Sequence, residues 1–265
     1  MDIRGAHVLL TGASGGIGQA LVEALANRGA CLTLTARRTE VLSELADRVG
    51  GTAIAADLSD RNGLEQLLAE VDQLAPVDVL IANAGVPASG LLPDYSADQI
   101  DRALDVNLRA PIILAKQLGE QMASRGSGHL VFMSSLAGKS ASGHLALYNA
   151  TKFGIRGFAL ALREDMRLHG VGVSTIFPGP IRDAGMIADT DVRLPRVGTR
   201  TARTVADATL RAIEKNRAEV TVAAWALRAV SLLGSLAPDL SAAMQRRIGS
   251  NEIIGTLAEG QQDKR

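Results

Sequence analysis

Two side chains that stand four residues apart carry the clearest chemistry in this sequence. Tyr148 and Lys152 are separated by about one helical turn, so on a helix both would face the same way. An ammonium group beside a phenol favours the phenolate and lowers the pKa of the phenol, which is otherwise near ~10. A phenol tuned in this way can donate a proton to a carbinol oxygen or accept one from it. The pair therefore indicates acid–base chemistry at a substrate oxygen.

Polar residues also follow two short apolar runs. Ser134 and Ser135 come directly after the run His129–Met133, and Ser135 precedes Tyr148 by 13 residues. If the runs are parallel strands, their carboxyl ends form the ligand crevice, where a hydroxyl can hold a substrate oxygen opposite the tyrosine. The alternative is an ordinary turn from strand to loop, in which serine is common. Asn83-Ala84-Gly85 ends another run, and its glycine lets the backbone approach a ligand.

A glycine-rich stretch stands where a first strand would meet a first helix. Glycines remove the side chains that keep a phosphate group away from backbone N–H groups, and the following helix presents its positive N-terminal end to that anion. The spacing, GxxxGxG, differs from the GxGxxG of the general dinucleotide fingerprint. The alternative is a tight turn that uses glycine only for its geometry. The candidate phosphate-binding residues within Thr11–Gly18 are Gly12, Ser14, Gly16, Ile17 and Gly18.

Two arginines follow the second apolar run. In proteins that bind NAD, an acidic residue near this point accepts hydrogen bonds from the adenosine ribose 2′-OH. Here the residue 24 positions after Gly12 is Ala36, and Arg37 and Arg38 come next. A guanidinium suits a 2′-phosphate by its charge and its forked donors, so the sequence predicts NADP rather than NAD. The alternative is that both arginines are solvated charges at the start of the second helix.

Short apolar runs alternate along the chain with longer segments of helical periodicity. The runs are too short for helices and show little polar alternation, which is typical of strands buried on both faces. The alternation of strand and helix predicts an α/β, doubly wound fold, in which helices cover both faces of a parallel sheet. Cys31 opens the second run, and we expect it to pack in the core. The runs are Val8–Leu10, Cys31–Thr35, Thr52–Ala56, Val77–Ala82, His129–Met133, Gly172–Phe177 and Glu219–Val222.

No linker or internal repeat divides the 265 residues, so we predict one domain over 1–265. Two segments depart from the strand–helix pattern. Residues 182–203 are rich in charge, glycine and proline, and we predict a functional loop beside the substrate. Residues 223–248 form an apolar, helical C-terminal segment, which we expect to pack in the core or face another subunit. The alternative for this segment is a lid or a peripheral membrane contact.

Composition argues against several classes of protein. Lys+Arg and Asp+Glu number 28 each, and this zero formal net charge disfavours a general nucleic-acid binder. One cysteine and four scattered histidines exclude an internal disulfide and disfavour a metal site. The opening residues lack the basic and apolar pattern of a secretory signal, and charges interrupt the apolar stretch Val220–Leu240. We therefore expect a cytoplasmic protein without a membrane span.

These features together resemble the short-chain dehydrogenase/reductase family, from about His7 to Ile181. The resemblance implies a Rossmann-type fold with a seven-stranded parallel sheet. It also implies a homodimer or homotetramer, in which two long helices near residues 108–125 and 149–168 pair between subunits. The positions that carry the resemblance are Thr11–Gly18, Asp57-Leu58, Asn83-Ala84-Gly85, Asn107, Ser135, Tyr148–Lys152 and Pro178-Gly179.

The resemblance implies a role for each position at the reacting centre. Tyr148 would be the acid/base that exchanges a proton with the substrate oxygen. Lys152 would lower the pKa of Tyr148 and hold the nicotinamide ribose, and Ser135 would hydrogen-bond the substrate oxygen. Asn107 would hold a water beside the lysine and complete a proton relay. The cofactor supplies the hydride, whereas the protein orients the reactants and moves the proton.

Further positions are implied to surround the cofactor. Asp57 would bond the adenine amino group, with the Leu58 backbone beside it, and Asn83 would lie near the adenine ribose. The family often has threonine at the position of Asp183, so this residue departs from the pattern. An ionised carboxylate cannot donate a hydrogen bond to the cofactor, as a threonine hydroxyl can. The other implied contacts are Ala84, Gly85, Pro178, Gly179 and Ile181.

We therefore predict an NADP-dependent carbonyl reductase or alcohol dehydrogenase. Hydride would pass between the nicotinamide and the carbon of a ketone, aldehyde or alcohol. The mostly small and apolar residues between Ser135 and Tyr148 favour an apolar small-molecule substrate. Two alternatives remain, because a fold does not fix a function. One is a cofactor-binding redox sensor without turnover, and the other is an epimerase or dehydratase on the same scaffold.

Overall fold

The structure, a computed structural model, describes residues 1–184 and 198–237 and the single positions 239, 243, 255, 260 and 261. The middle of the predicted substrate loop 182–203 therefore lies outside the described residues. Of the predicted C-terminal segment 223–248, the structure describes residues 223–237, 239 and 243, and the other residues of the segment lie outside the described part.

The described strands form one parallel sheet of seven, in the order β3-β2-β1-β4-β5-β6-β7. Each predicted apolar run is one of these strands, which confirms the predicted sheet. The runs are apolar throughout because both faces are covered: Val8 and Leu10 pack into one core and Leu9 into the other. The strands are β1 (His7–Thr11), β2 (Cys31–Ala36), β3 (Thr52–Ala55), β4 (Val79–Ala82), β5 (Gly128–Met133), β6 (Val171–Pro178) and β7 (Glu219–Val222).

Helices flank both faces of the sheet, as the α/β prediction requires. Within the described residues they are α1 (Gly16–Ala26), α2 (Thr39–Val49), α3 (Arg61–Val71), α4 (Ala97–Leu104), α5 (Ala110–Arg125), α6 (Ala146–Arg167), α7 (Ala202–Glu214) and α8 (Trp225–Leu236). Helices α1, α2 and α7 share one apolar core, whereas α3, α5 and α6 share the other. None of the helices in this part of the chain is long and apolar enough to cross a bilayer.

The order of the strands reverses beside β1. The chain runs outward from β1 through β2 to β3 and then crosses to β4 on the other side of β1. In such sheets, the crevice at the carboxyl ends of the strands around the reversal binds ligands. The segments Thr11–Gly18, Asn83–Gly85 and Ser134–Ser135 follow β1, β4 and β5, so the fold gathers them at one edge.

Cys31 corrects one expectation about the core. The thiol is exposed, although Leu32 and Leu34 in the same strand are buried. Cys31 is the first residue of β2 and lines a depression at the amino-terminal edge of the sheet together with His7 and Arg125. An apolar run therefore predicts the strand correctly but not the exposure of its first residue.

Candidate functional site

A serine and a tyrosine meet where β5 ends and α6 begins. The Ser135 side chain is hydrogen-bonded to the Tyr148 hydroxyl, and Tyr148 is only 9% exposed. Ser135 Oγ also accepts a hydrogen bond from the backbone N–H of Ala137 at 3.2 Å, which orients the hydroxyl. Ser134 Oγ instead donates to the backbone carbonyl of Lys152 at 3.0 Å. Ser135 rather than Ser134 is therefore the serine that faces the phenol, and it is the serine that the family resemblance had singled out.

Lys152 lies one turn further along α6 and is buried with the tyrosine. Its Nζ donates a hydrogen bond to the carbonyl oxygen of Met133 at 3.1 Å and lies 5.6 Å from the centroid of the Tyr148 ring. Burial lowers the pKa of Lys152 to about 8, because the ammonium loses solvation. The predicted trio of serine, tyrosine and lysine is therefore assembled by two adjoining elements, the end of β5 and the first two turns of α6.

The pKa of Tyr148 moves in the direction opposite to the expected one. Burial raises the pKa of Tyr148 to about 12, and the hydrogen bond with Ser135 opposes this rise only in part. The expected lowering by Lys152 is wrong for this chain, because the loss of solvation at the phenol is the dominant effect. At neutral pH the phenol is therefore protonated and available as a hydrogen-bond and proton donor.

Asn107 sits in a π-helical turn, Asp105–Arg109, between α4 and α5. Its Oδ1 accepts a hydrogen bond from Val86 N at 2.8 Å, and its Nδ2 donates to Val86 O at 3.0 Å, so the buried amide is fixed. A Cβ placed on Gly85 would lie 3.2 Å from Asn107 Oδ1 and 3.8 Å from Lys152 Nζ. The fold thus brings Asn107, Gly85 and Lys152 together beside the end of β4.

The glycine turn after β1 is built by close backbone packing. Gly12 has φ +67°, and a Cβ on it would lie 2.7 Å from Ala84 Cα, so only glycine suits this position. A Cβ on Gly18 would overlap the carbonyl oxygen of Gly12. Gly15 and Gly16 are exposed at the start of α1, so the positive end of this helix is open to an anion.

Asn83 braces this turn from β4. Its Nδ2 donates hydrogen bonds to the carbonyl oxygens of Thr11 at 3.0 Å and Gly12 at 3.2 Å. Thr11 Oγ1 in turn accepts from the backbone N–H groups of Asn83 and Ala84, each at 3.0 Å. The contacts therefore place Asn83 on the backbone of the glycine turn, where it holds two strand ends together.

The two predicted arginines directly precede α2, and Arg38 is its N-cap residue. Arg38 Nη2 donates a hydrogen bond to the carbonyl oxygen of Ser14 at 2.8 Å, so this side chain reaches the glycine turn. Arg37 is exposed, and its charge acts on the carboxylate of Asp57. Both guanidinium groups thus lie close to the predicted adenosine end of the crevice.

Asp57 is held in its ionised form. Burial alone would raise the pKa of Asp57. Hydrogen bonds from the side chain and backbone of Ser59, together with the charges of Arg37 and Arg102, outweigh the effect of burial, so the pKa of Asp57 is lowered. The sequence had not indicated Arg102, which lies on α4 and reaches this region only through the fold. Leu58, next to Asp57, is buried in the core.

The segment after β6 closes the other end of the crevice. Gly179 N–H donates to Val222 O at 2.9 Å, and a Cβ on Gly179 would lie 3.2 Å from Leu136 Cδ1. Ile181, two residues on, is buried. Asp183, the departure from the family, accepts a hydrogen bond from the first backbone N–H of α7, that of Ala202, at 2.9 Å. Its carboxylate therefore helps to start α7, a role that needs an acceptor.

Comparison with known proteins agrees with this geometry. Residues 6–192 match the family model described as short chain dehydrogenase. A ketoacyl reductase of Nostoc sp. strain PCC 7120, HetN, is 37% identical over an alignment of 228 residues that covers 83% of this chain and 79% of the relative.

Solved structures show the same likeness. One is a short-chain dehydrogenase from Sphingobium yanoikuyae in complex with NADPH, with a TM-score of 0.75, 25% identity and coverage of 94% of both chains. Another is a bulky-bulky ketone specific alcohol dehydrogenase from Comamonas testosteroni, with a TM-score of 0.74, 25% identity and coverage of 97% of this chain and 95% of that one. On its sequence, its fold and its family match, the chain belongs to the short-chain dehydrogenase/reductase family of oxidoreductases.

Proposed function

We propose that this protein is an NADPH-dependent reductase of ketones and aldehydes, able also to oxidise the corresponding alcohols. The observation that carries the proposal is the buried, protonated phenol of Tyr148, hydrogen-bonded to Ser135 and adjacent to Lys152 at the ligand-binding edge of the sheet. NADPH, when bound, supplies the hydride that adds to the carbonyl carbon. The rest of the chemistry is proton transfer and positioning by the chain itself.

Tyr148 is the proton donor in this proposal. Ser135 and Tyr148 both direct a hydroxyl at the position of the substrate oxygen, so the oxygen receives two hydrogen bonds as it gains negative charge. Tyr148 then gives up its proton to complete the alcohol. Lys152, whose pKa burial lowers to about 8, can return a proton near neutral pH, and Asn107 orients the water that carries it. Because the phenol is protonated at neutral pH, carbonyl reduction is the direction that needs no prior ionisation.

The residues present fit NADPH. The open start of α1 suits the pyrophosphate, and the glycines leave its backbone N–H groups accessible. Arg37 and Arg38 stand where a 2′-phosphate would need cations, and Ala36 stands where an NAD-binding protein would have a carboxylate. The structural relatives from Sphingobium yanoikuyae, bound to NADPH, and from a metagenomic source, bound to NADP, support the same choice.

Arg37→Asp is expected to reverse the cofactor preference. The change removes a charged hydrogen bond to the 2′-phosphate, of about 1.5–3 kcal/mol, and adds a repelling carboxylate. The ratio of kcat/KM for NADPH to kcat/KM for NADH should fall roughly 10- to 100-fold. Steady-state kinetics with both cofactors measures it. Arg48→Asp, an exposed position near the end of α2, makes the same charge change away from the crevice and should leave the ratio unchanged. An unchanged ratio in Arg37→Asp would refute the phosphate role.

An apolar carbonyl compound is the proposed substrate class. Tyr148 is packed in a cluster of apolar side chains that includes Ala88. Leu91 and Leu92, which follow Ala88 in the chain, are 51% and 54% exposed. The names of two relatives, a ketoacyl reductase and a bulky-bulky ketone specific dehydrogenase, support this class. The other members of the cluster are Val86, Ala103, Val106, Ala137 and Leu147.

A carbonyl panel tests the proposed function directly. The purified protein is incubated with NADPH and either a ketone with two bulky apolar substituents or a 3-ketoacyl thioester, and the NADPH absorbance is followed. Stoichiometric loss of NADPH with formation of the alcohol supports the proposal. Cofactor binding without consumption would favour a redox sensor. A rearranged or dehydrated product without net consumption would favour an epimerase or dehydratase.

We also propose that α6 pairs between subunits of a homodimer or homotetramer. Phe153 and Leu160 are 39% and 40% exposed and lie seven residues apart, so they share one face of the helix. An apolar face of this kind on a long helix supports helix pairing, and sedimentation analysis would show a monomer if the proposal is wrong.

A further inference from the structure

Three charged side chains form a cluster next to the reacting centre that the proposed chemistry does not use. Glu219 Oε2 lies 2.8 Å from Lys139 Nζ, and Glu219 Oε1 lies 2.7 Å from Arg156 Nε. Arg156 Nη2 also donates to Glu219 Oε2 at 3.3 Å, so the guanidinium holds the carboxylate with two donors. We call Lys139, Glu219 and Arg156 the charge cluster.

The sheet builds the floor of the charge cluster. Glu219 and Thr221 are two residues apart on β7 and therefore face the same side of the sheet. Thr221 is paired with Phe177 on β6, whose ring is fully buried. Lys139 Nζ lies 4.2 Å above the centroid of this ring and donates to Thr221 Oγ1 at 3.2 Å. Lys139 is 7% exposed, so the position of its ammonium is set by these contacts.

The two cations come from the two elements that hold the predicted reacting groups. Lys139 follows the short 3-10 turn Leu136–Gly138, which begins directly after Ser135. Arg156 lies on α6, four residues after Lys152 and eight after Tyr148, so all three lie on one side of the helix. We call residues 134–140 the serine segment. One carboxylate on β7 therefore ties the serine segment to α6, the helix of Tyr148.

We propose that Glu219 is a positioning residue that, through Lys139 and Arg156, sets the separation between the hydroxyls of Ser135 and Tyr148. The inference rests on the proposed function, because this separation matters only if both hydroxyls bind one substrate oxygen. Without the carboxylate, two poorly solvated cations would face each other and repel, and the serine segment would move away from the helix. Misplacement of a reacting group by about 1 Å can lower turnover roughly 10²-fold.

Other contacts keep the segment folded when the charge cluster is broken. Asn149 Nδ2 donates to Ala137 O at 2.6 Å, and Ser134 Oγ donates to Lys152 O at 3.0 Å. These neutral hydrogen bonds also join the serine segment to α6. Loss of Glu219 is therefore expected to shift the segment rather than to unfold the protein.

Glu219→Gln and Lys139→Met test the proposal. Glutamine places an N–H group toward the Lys139 ammonium, and methionine keeps the apolar stem over Phe177 without the charge. Both variants should lower kcat roughly 10- to 100-fold with whichever of the two carbonyl compounds of the panel is reduced faster. The KM for NADPH should stay within about twofold, because the glycine turn follows β1, which is separated from β7 in the sheet by β4, β5 and β6. Lys139→Arg restores the cation and should regain most of the turnover. In hydrogen exchange, the amides of Gly138, Lys139 and Ser140 should exchange faster in both damaged variants.

Glu164→Gln is the matched control, because it breaks an exposed ion pair with Arg167 on the same helix. It should change neither kcat nor the exchange rates. The proposal is overturned if Glu219→Gln and Lys139→Met keep kcat within about twofold of the wild type, or if Lys139→Arg fails to recover turnover. Equal losses in kcat and in NADPH affinity would also overturn it, since they indicate general damage. If the wild type consumes no NADPH with any carbonyl compound, the proposed function fails. Separately, unchanged amide hydrogen exchange at residues 138–140 in Glu219→Gln and Lys139→Met would show that Glu219 does not hold the serine segment against α6.

Discussion

Tyr148→Phe is expected to lower kcat roughly 10³-fold while NADPH affinity stays within about threefold. The change removes the proposed proton donor but keeps the ring, which packs among apolar side chains beside Ala137 and Leu147. Ser135 retains its hydrogen bond from Ala137 and can still bind the substrate oxygen, but a serine hydroxyl is too weak an acid to supply the proton. Turnover follows from the NADPH absorbance, and affinity from titration of NADPH fluorescence.

Tyr95→Phe is the matched control for this variant, because Tyr95 is the other tyrosine of the chain. It removes one phenolic hydroxyl outside the bond with Ser135 and should keep kcat within about tenfold. Retention of full turnover in Tyr148→Phe would remove the acid–base role. A loss of NADPH binding to the same extent as turnover would show that the phenol serves the cofactor rather than the proton transfer.

Lys152→Met is expected to abolish most turnover and yet to stabilise the fold. Burial lowers the pKa of Lys152 from 10.5 to about 8, so the folded protein holds this ammonium at a cost when the pH is below 8. Replacement by a side chain of similar length removes that cost but loses the hydrogen bond to Met133 O. The net gain at pH 7 should be about 2 kcal/mol in the free energy of unfolding. The kcat should fall roughly 10²- to 10³-fold.

The pH dependence of this gain distinguishes it from ordinary repacking. Between pH 8 and 10.5 the unfolded chain keeps the lysine proton that the folded chain has lost, so wild-type stability rises with pH in this window relative to the variant. The stability difference should therefore be largest at pH 7 and shrink toward pH 10 in urea unfolding without cofactor. Lys116→Met, at an exposed position of α5, should show no such dependence. A variant less stable than the wild type at pH 7 would contradict the argument.

The sheet could be predicted because its strands are buried on both faces. Val8, Leu9 and Leu10 alternate between two cores, so no polar residue interrupts the run and its short length separates it from a helix. The same local rule fails at strand ends, where burial depends on what covers the edge. Cys31 shows this, because it begins β2 and is exposed.

The site was predictable where it depends on local order along the chain. Tyr148 and Lys152 share a helix and Ser135 follows a strand, so their order along the chain, together with the family resemblance, pointed to them. The pKa of Tyr148 was not predictable in this way, because it depends on how completely the surrounding fold removes water from the phenol. The charge cluster could not be predicted from the sequence either. Lys139 and Thr221, which the fold brings into contact, are 82 residues apart, and no periodic pattern links them.

The π-helical turn Asp105–Arg109 makes the site sensitive to the number of residues as well as to their identity. Each residue rotates a regular helix by about 100°, and a π-turn holds one residue more than an α-turn. Deletion of one residue here would remove the wider turn that precedes Pro111 and would rotate the residues on one side of the deletion by about 100°, which would swing Asn107 away from Val86. Insertion or deletion of a single residue, which surface loops tolerate, is therefore expected to abolish turnover when it falls within Asp105–Arg109.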